Sequence, residues 1–149
     1  EDQEQHLELA RETVRRTMDS DRAFVAAIEG AVPPGTMVFQ APVMDYPEAP
    51  LPGLPSYDLL RPYLHSSSLR FSAGAIRGRS FNPEWRRLES ERSLSAFAEL
   101  LRDYGFGAII IHRKAYEDRG EFIVSQLQQS GSFRRIDDQV GDFVCVVLK

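Results

Sequence analysis

Lysine is almost missing from this chain: of its eighteen basic residues only Lys114 and Lys149 are lysine, and the rest are arginine. A GC-rich genome favours arginine codons everywhere, so the bias as a whole points to no ligand. Cysteine is scarcer still. The single Cys145 excludes an internal disulfide, and its setting, FVCVVLK, marks a buried strand thiol rather than a nucleophile. No run approaches the roughly 18 to 20 apolar residues of a membrane span, and no secretory leader opens the chain. It begins at Glu1 rather than methionine, so a processed product or a piece of a longer protein is expected.

Further absences narrow the chemistry. The three histidines have no paired cysteine and no HxH or HExxH spacing, so no metal site is expected. There is no GxxxxGK[ST] phosphate loop and no GxSxG elbow, and no cofactor is expected. The net charge of -4 and pI near 5.4 set the surface against a polyanion, so no nucleic-acid partner is expected.

What is present reads as one domain. A chain of 149 residues buries roughly 70% of its unfolded surface, enough for a core without staples. Residues 1–20 read as a polar lead-in or connecting helix and 21–149 as a single α/β domain. The second helix would be capped by Asp19, Ser20 or Asp21, carry Phe24, Val25 and Ile28 inward, and stop at Gly30 and the Pro33-Pro34 pair. TMVFQAP (36–42) reads as the first strand. Five prolines between 42 and 55 then impose an ordered loop, because none can donate a ladder hydrogen bond.

SYDLLRPYLHS gives one or two helical turns, LRFSAGA a second strand, and NPEWRRL a short helix. Leu94, Phe97, Leu100 and Leu101 then line a helix stopped by Gly105, and the strand AIIIH follows. A further helix over 118–129 turns Phe122, Ile123 and Leu127 inward. SFRRIDD and DFVCVVLK close the chain as a hairpin. Helices alternating with strands imply a layered α/β fold: a mostly parallel central sheet, flanking helices and a C-terminal antiparallel hairpin.

Parallel strands end on one rim, where ligands usually bind. The loop after the first strand brings Asp45, Tyr46 and Glu48, that after the second Arg77, Arg79 and Ser80, and that after the third His112, Arg113 and Tyr116. From Ser66 to Arg87 five arginines meet one acid, Glu84. Guanidinium forks on a glycine-bearing loop suit phosphate or carboxylate oxygens, while pairing with Glu48, Asp58 or a helix over 84–92 is the plainer alternative. Glu48 and Asp58 would also serve as the acid and base of a glycosidase, with nearby tyrosines stacking on sugar rings.

In order along the chain, VPPGTMVFQAPVMDYPE, YDLLRPYLHSSSLRFSAGAIRGR and AFAELLRDYGFGAIIIHRKAYEDRG resemble a family. It is the soluble C-terminal domain of bacterial multispanning membrane proteins of cell-surface polysaccharide assembly. These are described as sugar translocases, phosphoglycerol transferase-like proteins or GT-C-type glycosyltransferases. The likeness spans about residues 20 to 149, and its most specific element is PYLHSSSLRFSAGAIRGR.

The resemblance implies that a membrane-spanning part of the same parent chain holds the transferase site. This domain would then lie outside the cytoplasmic membrane, tethered to it through EDQEQHLELARETVRR. It would be an accessory or ligand-binding domain whose partner is an anionic sugar or lipid-linked glycan. By motif, Tyr46, Glu48, Tyr57, Asp58, Arg70, Arg77 and Arg79 would contact that ligand, and the rim adds His112 and Arg113. Where the pattern reads LRWSYGA this chain has Phe71 and Ala73, which removes two sugar-stacking rings. The alternatives are a stand-alone carbohydrate hydrolase using Glu48 and Asp58, and a purely structural domain whose arginines pair internally.

Overall fold

The structure, a computed structural model, describes residues 1–41, 45–46, 58–72, 75–76, 94–129, 131 and 133–148. The NPEWRRL segment and most of the proline-rich stretch lie outside the described residues.

One unbroken helix, α1 (Asp2–Ala31), replaces the two helices expected from sequence. No proline and no glycine before Gly30 interrupts it. The expected internal caps spend their side chains elsewhere. The Ser20 hydroxyl accepts the N–H groups of Gln139 at 3.0 Å and Val140 at 3.2 Å, and Asp21 binds Arg61. Gly30 does not stop the helix. It ends where Val32, the residue before Pro33, becomes extended (φ -132°, ψ 156°), because proline disfavours helical backbone just ahead of it.

The main sheet contains β1 (Met37–Ala41), β3 (Arg70–Phe71), β5 (Phe106–His112), β6 (Arg134–Asp137) and β7 (Phe143–Val147), in the order β3-β1-β5-β7-β6. β3, β1 and β5 run parallel, and β7 and β6 add as an antiparallel hairpin. This is the α/β architecture expected from sequence. The expected second strand is divided: β4 (Ala75–Ile76) leaves the main sheet and pairs in parallel with β2 (Asp45–Tyr46), a strand inside the segment read as loop.

β5 and β7 are buried on both faces, which is why FGAIIIH and FVCVV are continuous apolar runs rather than alternating ones. Ala108, Ile110, Phe143, Cys145 and Val147 face α1 and pack on Phe24 and Ile28. Ile109, Ile111, Val144 and Val146 face the other way. They meet Phe97 and Leu101 of α3 (Leu94–Asp103) and Val124 and Leu127 of α4 (Glu121–Gln129). Burial pushes the Cys145 thiol well above its ordinary pKa, as suits an inert core group.

Two glycines set the geometry between α3 and β5. Gly105 takes a left-handed φ of +93° and closes α3 with its N–H on the Arg102 carbonyl at 2.9 Å. At Gly107 an added Cβ would lie 2.6 Å from Thr36 Cγ2, beside the register slip between Met37 and Val38. α4 begins after Asp118, whose carboxylate accepts the N–H groups of Gly120 at 3.0 Å and Phe122 at 2.8 Å. Phe122, expected inward, is 63% exposed, and Val124 takes the core position. No helix among the described residues is long and apolar enough to cross a membrane.

Candidate functional site

β1, β3 and β5 end on one rim, and His112 is the last residue of β5. In step with Ala108 and Ile110, its ring turns to the α1 face and is fully buried edge-on against Phe143, its cross-strand neighbour, with centroids 4.7 Å apart. Arg61, at the start of the short helix α2 (Arg61–Leu64), reaches the same place, with its guanidinium 4.8 Å above the Phe143 ring.

Arg61 is the hub of a carboxylate cluster drawn from three parts of the chain. Its Nε and Nη2 donate to the two oxygens of Asp21, both at 2.9 Å, in a forked pair. Its Nη2 also lies 3.0 Å from Asp142, and its Nη1 3.6 Å from Asp58. Lys114 approaches Asp142 at 3.6 Å. Burial works against the charge on Arg61, but its hydrogen bonds to Asp21 and Asp142 more than reverse this and raise its pKa.

The turn that presents Asp142 is built for the purpose. Asp138 accepts the N–H groups of Gly141 at 2.8 Å and Asp142 at 3.0 Å, and Ser20 of α1 holds the intervening amides. Burial raises the Asp138 pKa even so.

His112 Nε2 lies 3.6 Å from an Asp58 oxygen, within ion-pair range but beyond a good hydrogen bond, and neither ring nitrogen has a hydrogen-bond partner among the described residues. Burial, only partly offset by Asp58, depresses the ring's pKa to about 4. At neutral pH three carboxylates therefore face two fixed cations and a neutral imidazole. No group of three His, Cys, Asp or Glu among the described residues is placed to hold a metal. Chemically the cluster is a clamp: it fastens α1, α2, the end of β5 and the β6–β7 turn together.

The clamp is continued by Glu29 of α1. Its carboxylate receives the Ser67 hydroxyl at 3.2 Å and the Ser68 amide at 3.1 Å, as well as the Ser68 hydroxyl. The Ser68 hydroxyl leads in lowering its pKa. The serine run is thus the turn that seats β3.

The residues expected at the site divide into four groups. Asp58 and His112 are brought together, inside the clamp. Arg113 is carried to the opposite face of the sheet, where it binds Glu121 at 2.7 Å and Asp137 at 3.3 Å. Arg70 is exposed on the edge strand β3, and Tyr46 pairs through its backbone register with Ile76. Glu48, Tyr57, Arg77 and Arg79 lie outside the described residues.

Asp21, Arg61 and Asp142 were missed by sequence reasoning. One signal was available: Asp21 falls in the same helical stripe as Phe24 and Ile28, and an acid on a buried face needs a cation partner. Compared with protein-family models, with curated proteins and with solved structures, the chain matches none of them.

Proposed function

We propose that this chain is an extracytoplasmic ligand-binding domain of a membrane-bound surface-glycan transferase. It would take an anionic sugar, or the head of a lipid-linked glycan, on the rim where β1 and β3 end. One observation carries the reading: β2 runs parallel to β4, with Asp45 level with Ala75 and Tyr46 level with Ile76. Asp45 and Tyr46, which open the DYPE motif, are thereby held alongside the strand that precedes Arg77, Gly78 and Arg79 in the sequence.

Burial arguments support giving the anion to these arginines rather than to others. Arg61 is committed to Asp21 and Asp142, and Arg113 to Glu121 and Asp137, so neither fork is open. Asp58 is likewise engaged with Arg61 and His112, which favours binding over glycoside hydrolysis by Glu48 and Asp58. The catalytic centre of the transferase is assigned to the membrane-spanning part of the parent chain.

The test is titration of the 149-residue chain with a sugar 1-phosphate and, separately, with a polyprenyl-phosphate-linked sugar in detergent micelles, followed by calorimetry. The Arg77→Ala, Arg79→Ala double variant is expected to weaken binding at least about tenfold, the equivalent of roughly 1.4 kcal/mol. Unchanged affinity, or turnover of a glycoside by the wild-type chain that is lost in Glu48→Gln, would overturn the proposal.

A further inference from the structure

β6 is the last strand of the main sheet on the side away from β3, and among the described residues no strand lies beyond it. Its ladder to β7 fixes which backbone groups are spent. Asp138 donates its N–H to the Phe143 carbonyl at 3.3 Å, and bonded residues alternate along an antiparallel ladder, so Ile136 bonds to Cys145 and Arg134 to Val147. The N–H and C=O groups of Arg135 and Asp137 therefore point out of the sheet. They stand in a row along an edge that another strand can extend.

The side chains of the same strand select that partner. Arg135 and Asp137 share the α4 face, where they bind each other at 3.0 Å, while Ile136 turns the other way into the α1 side of the core. An edge guarded by charge of one sign repels every strand; this one carries both signs in alternate steps. A second β6 running antiparallel about an axis at Ile136 sets Arg135 opposite Asp137, and Asp137 opposite Arg135, on the same face of the sheet. These are also the positions at which the outward N–H and C=O groups meet. Ile136 then faces Ile136, and the exposed Arg134 comes level with Asp138. Moving the axis to Arg135 or to Asp137 sets like charge directly on like charge, and a parallel partner in register does the same at each charged step. The strand is complementary to itself in one arrangement.

We infer that the free edge of β6 pairs antiparallel with β6 of a second copy of this chain, joining two five-stranded sheets into one about a two-fold axis at Ile136. The inference does not rest on the ligand reading. A strand of 4 residues buries less than the usual stable interface, so the association is weak and concentration-dependent.

Sedimentation velocity on the 149-residue chain is expected to show the mass doubling between micromolar and millimolar concentration. Amide hydrogen exchange read by NMR on the same samples should slow several-fold at Arg135 and Asp137 as the dimer forms. It should stay unchanged at Ile136, whose N–H already serves β7. The charges are tested by exchanging their sign. Arg135→Asp leaves the α4 face of the edge acidic at both steps and Asp137→Arg leaves it basic at both, so each variant alone should remain monomeric at millimolar concentration. Mixed in equal amounts, the two variants restore both opposite pairs and should form a heterodimer. Should either variant not fold, the exchange measurement on the unaltered chain decides alone. A chain monomeric throughout, exchange at Arg135 and Asp137 indifferent to concentration, a dimer kept by either single variant, or a mixture of folded variants that stays monomeric would each overturn the inference.

Discussion

Beyond His112 and Arg113 the end of β5 faces two arginine clusters, one on each side of the sheet. On the α1 side Arg61 meets Asp21, Asp58 and Asp142; on the α4 side Arg113 and Arg135 meet Glu121 and Asp137. The residue types and distances are similar. Water is what differs: the Asp21 side chain is 4% exposed and that of Arg61 16%, while those of Glu121 and Asp137 are each 49% exposed. A carboxylate left alone in the first cluster has no solvent to turn to. In the second it rehydrates, and the interaction is screened. Equal geometry therefore does not mean equal energy, and the two clusters can be told apart by measurement.

The largest expected effect is at the hub. Arg61→Met leaves Asp21 buried without its cation and Asp142 with Lys114 alone, and should lower unfolding free energy by about 3 kcal/mol in a denaturant titration. A loss no greater than that of the surface variants would mean that the two clusters are energetically alike.

Next is a pH dependence that belongs to the α1 side. His112 is depressed from 6.5 to about 4 in the folded chain, so on acidification the unfolded chain takes up that proton first. The stability held by its neutral ring is whole above pH 6.5 and is lost as pH falls to about 4, by roughly 3 kcal/mol in all. Unfolding midpoints measured between pH 7 and pH 5 should fall in the wild type and stay flatter in His112→Leu. The opposite cluster adds nothing in that window. Glu121, held down to about 2 chiefly by its hydrogen bonds to Arg135, loses its share only below about pH 4.5.

The smallest effect is expected for Arg135→Ala. It should cost no more than about 1 kcal/mol, and the cost should shrink on adding salt, because the pairs it removes are exposed. A large, salt-insensitive loss would show that the α4 side is desolvated in solution and would erase the contrast.

Much of the scaffold was legible in the residues themselves. AIIIH and FVCVVLK read as central strands, since their continuous apolar runs leave no face to turn to water. Gly105 had to stop its helix, and SFRRIDD and DFVCVVLK had to close the chain as a hairpin. The errors share a cause. Ser20 and Asp21 look like caps because short polar side chains can satisfy local amides, yet here they bind partners 119 and 40 residues away, respectively. Phe122 looked inward from spacing alone, but the cap at Asp118 sets the phase of α4 and turns Val124 in instead.

Local pattern, then, determined most of the elements, their order and the parallel rim, because period and turn chemistry act between neighbours in the chain. Only the tertiary structure decided which polar groups were sealed from water. It placed Asp21, Arg61, Asp142 and His112 in one buried clamp and sent Arg113, adjacent to His112, to the other face. The physical reason is that a charge's energy depends on the dielectric around it and on partners distant in sequence, and neither is encoded in the spacing of its neighbours.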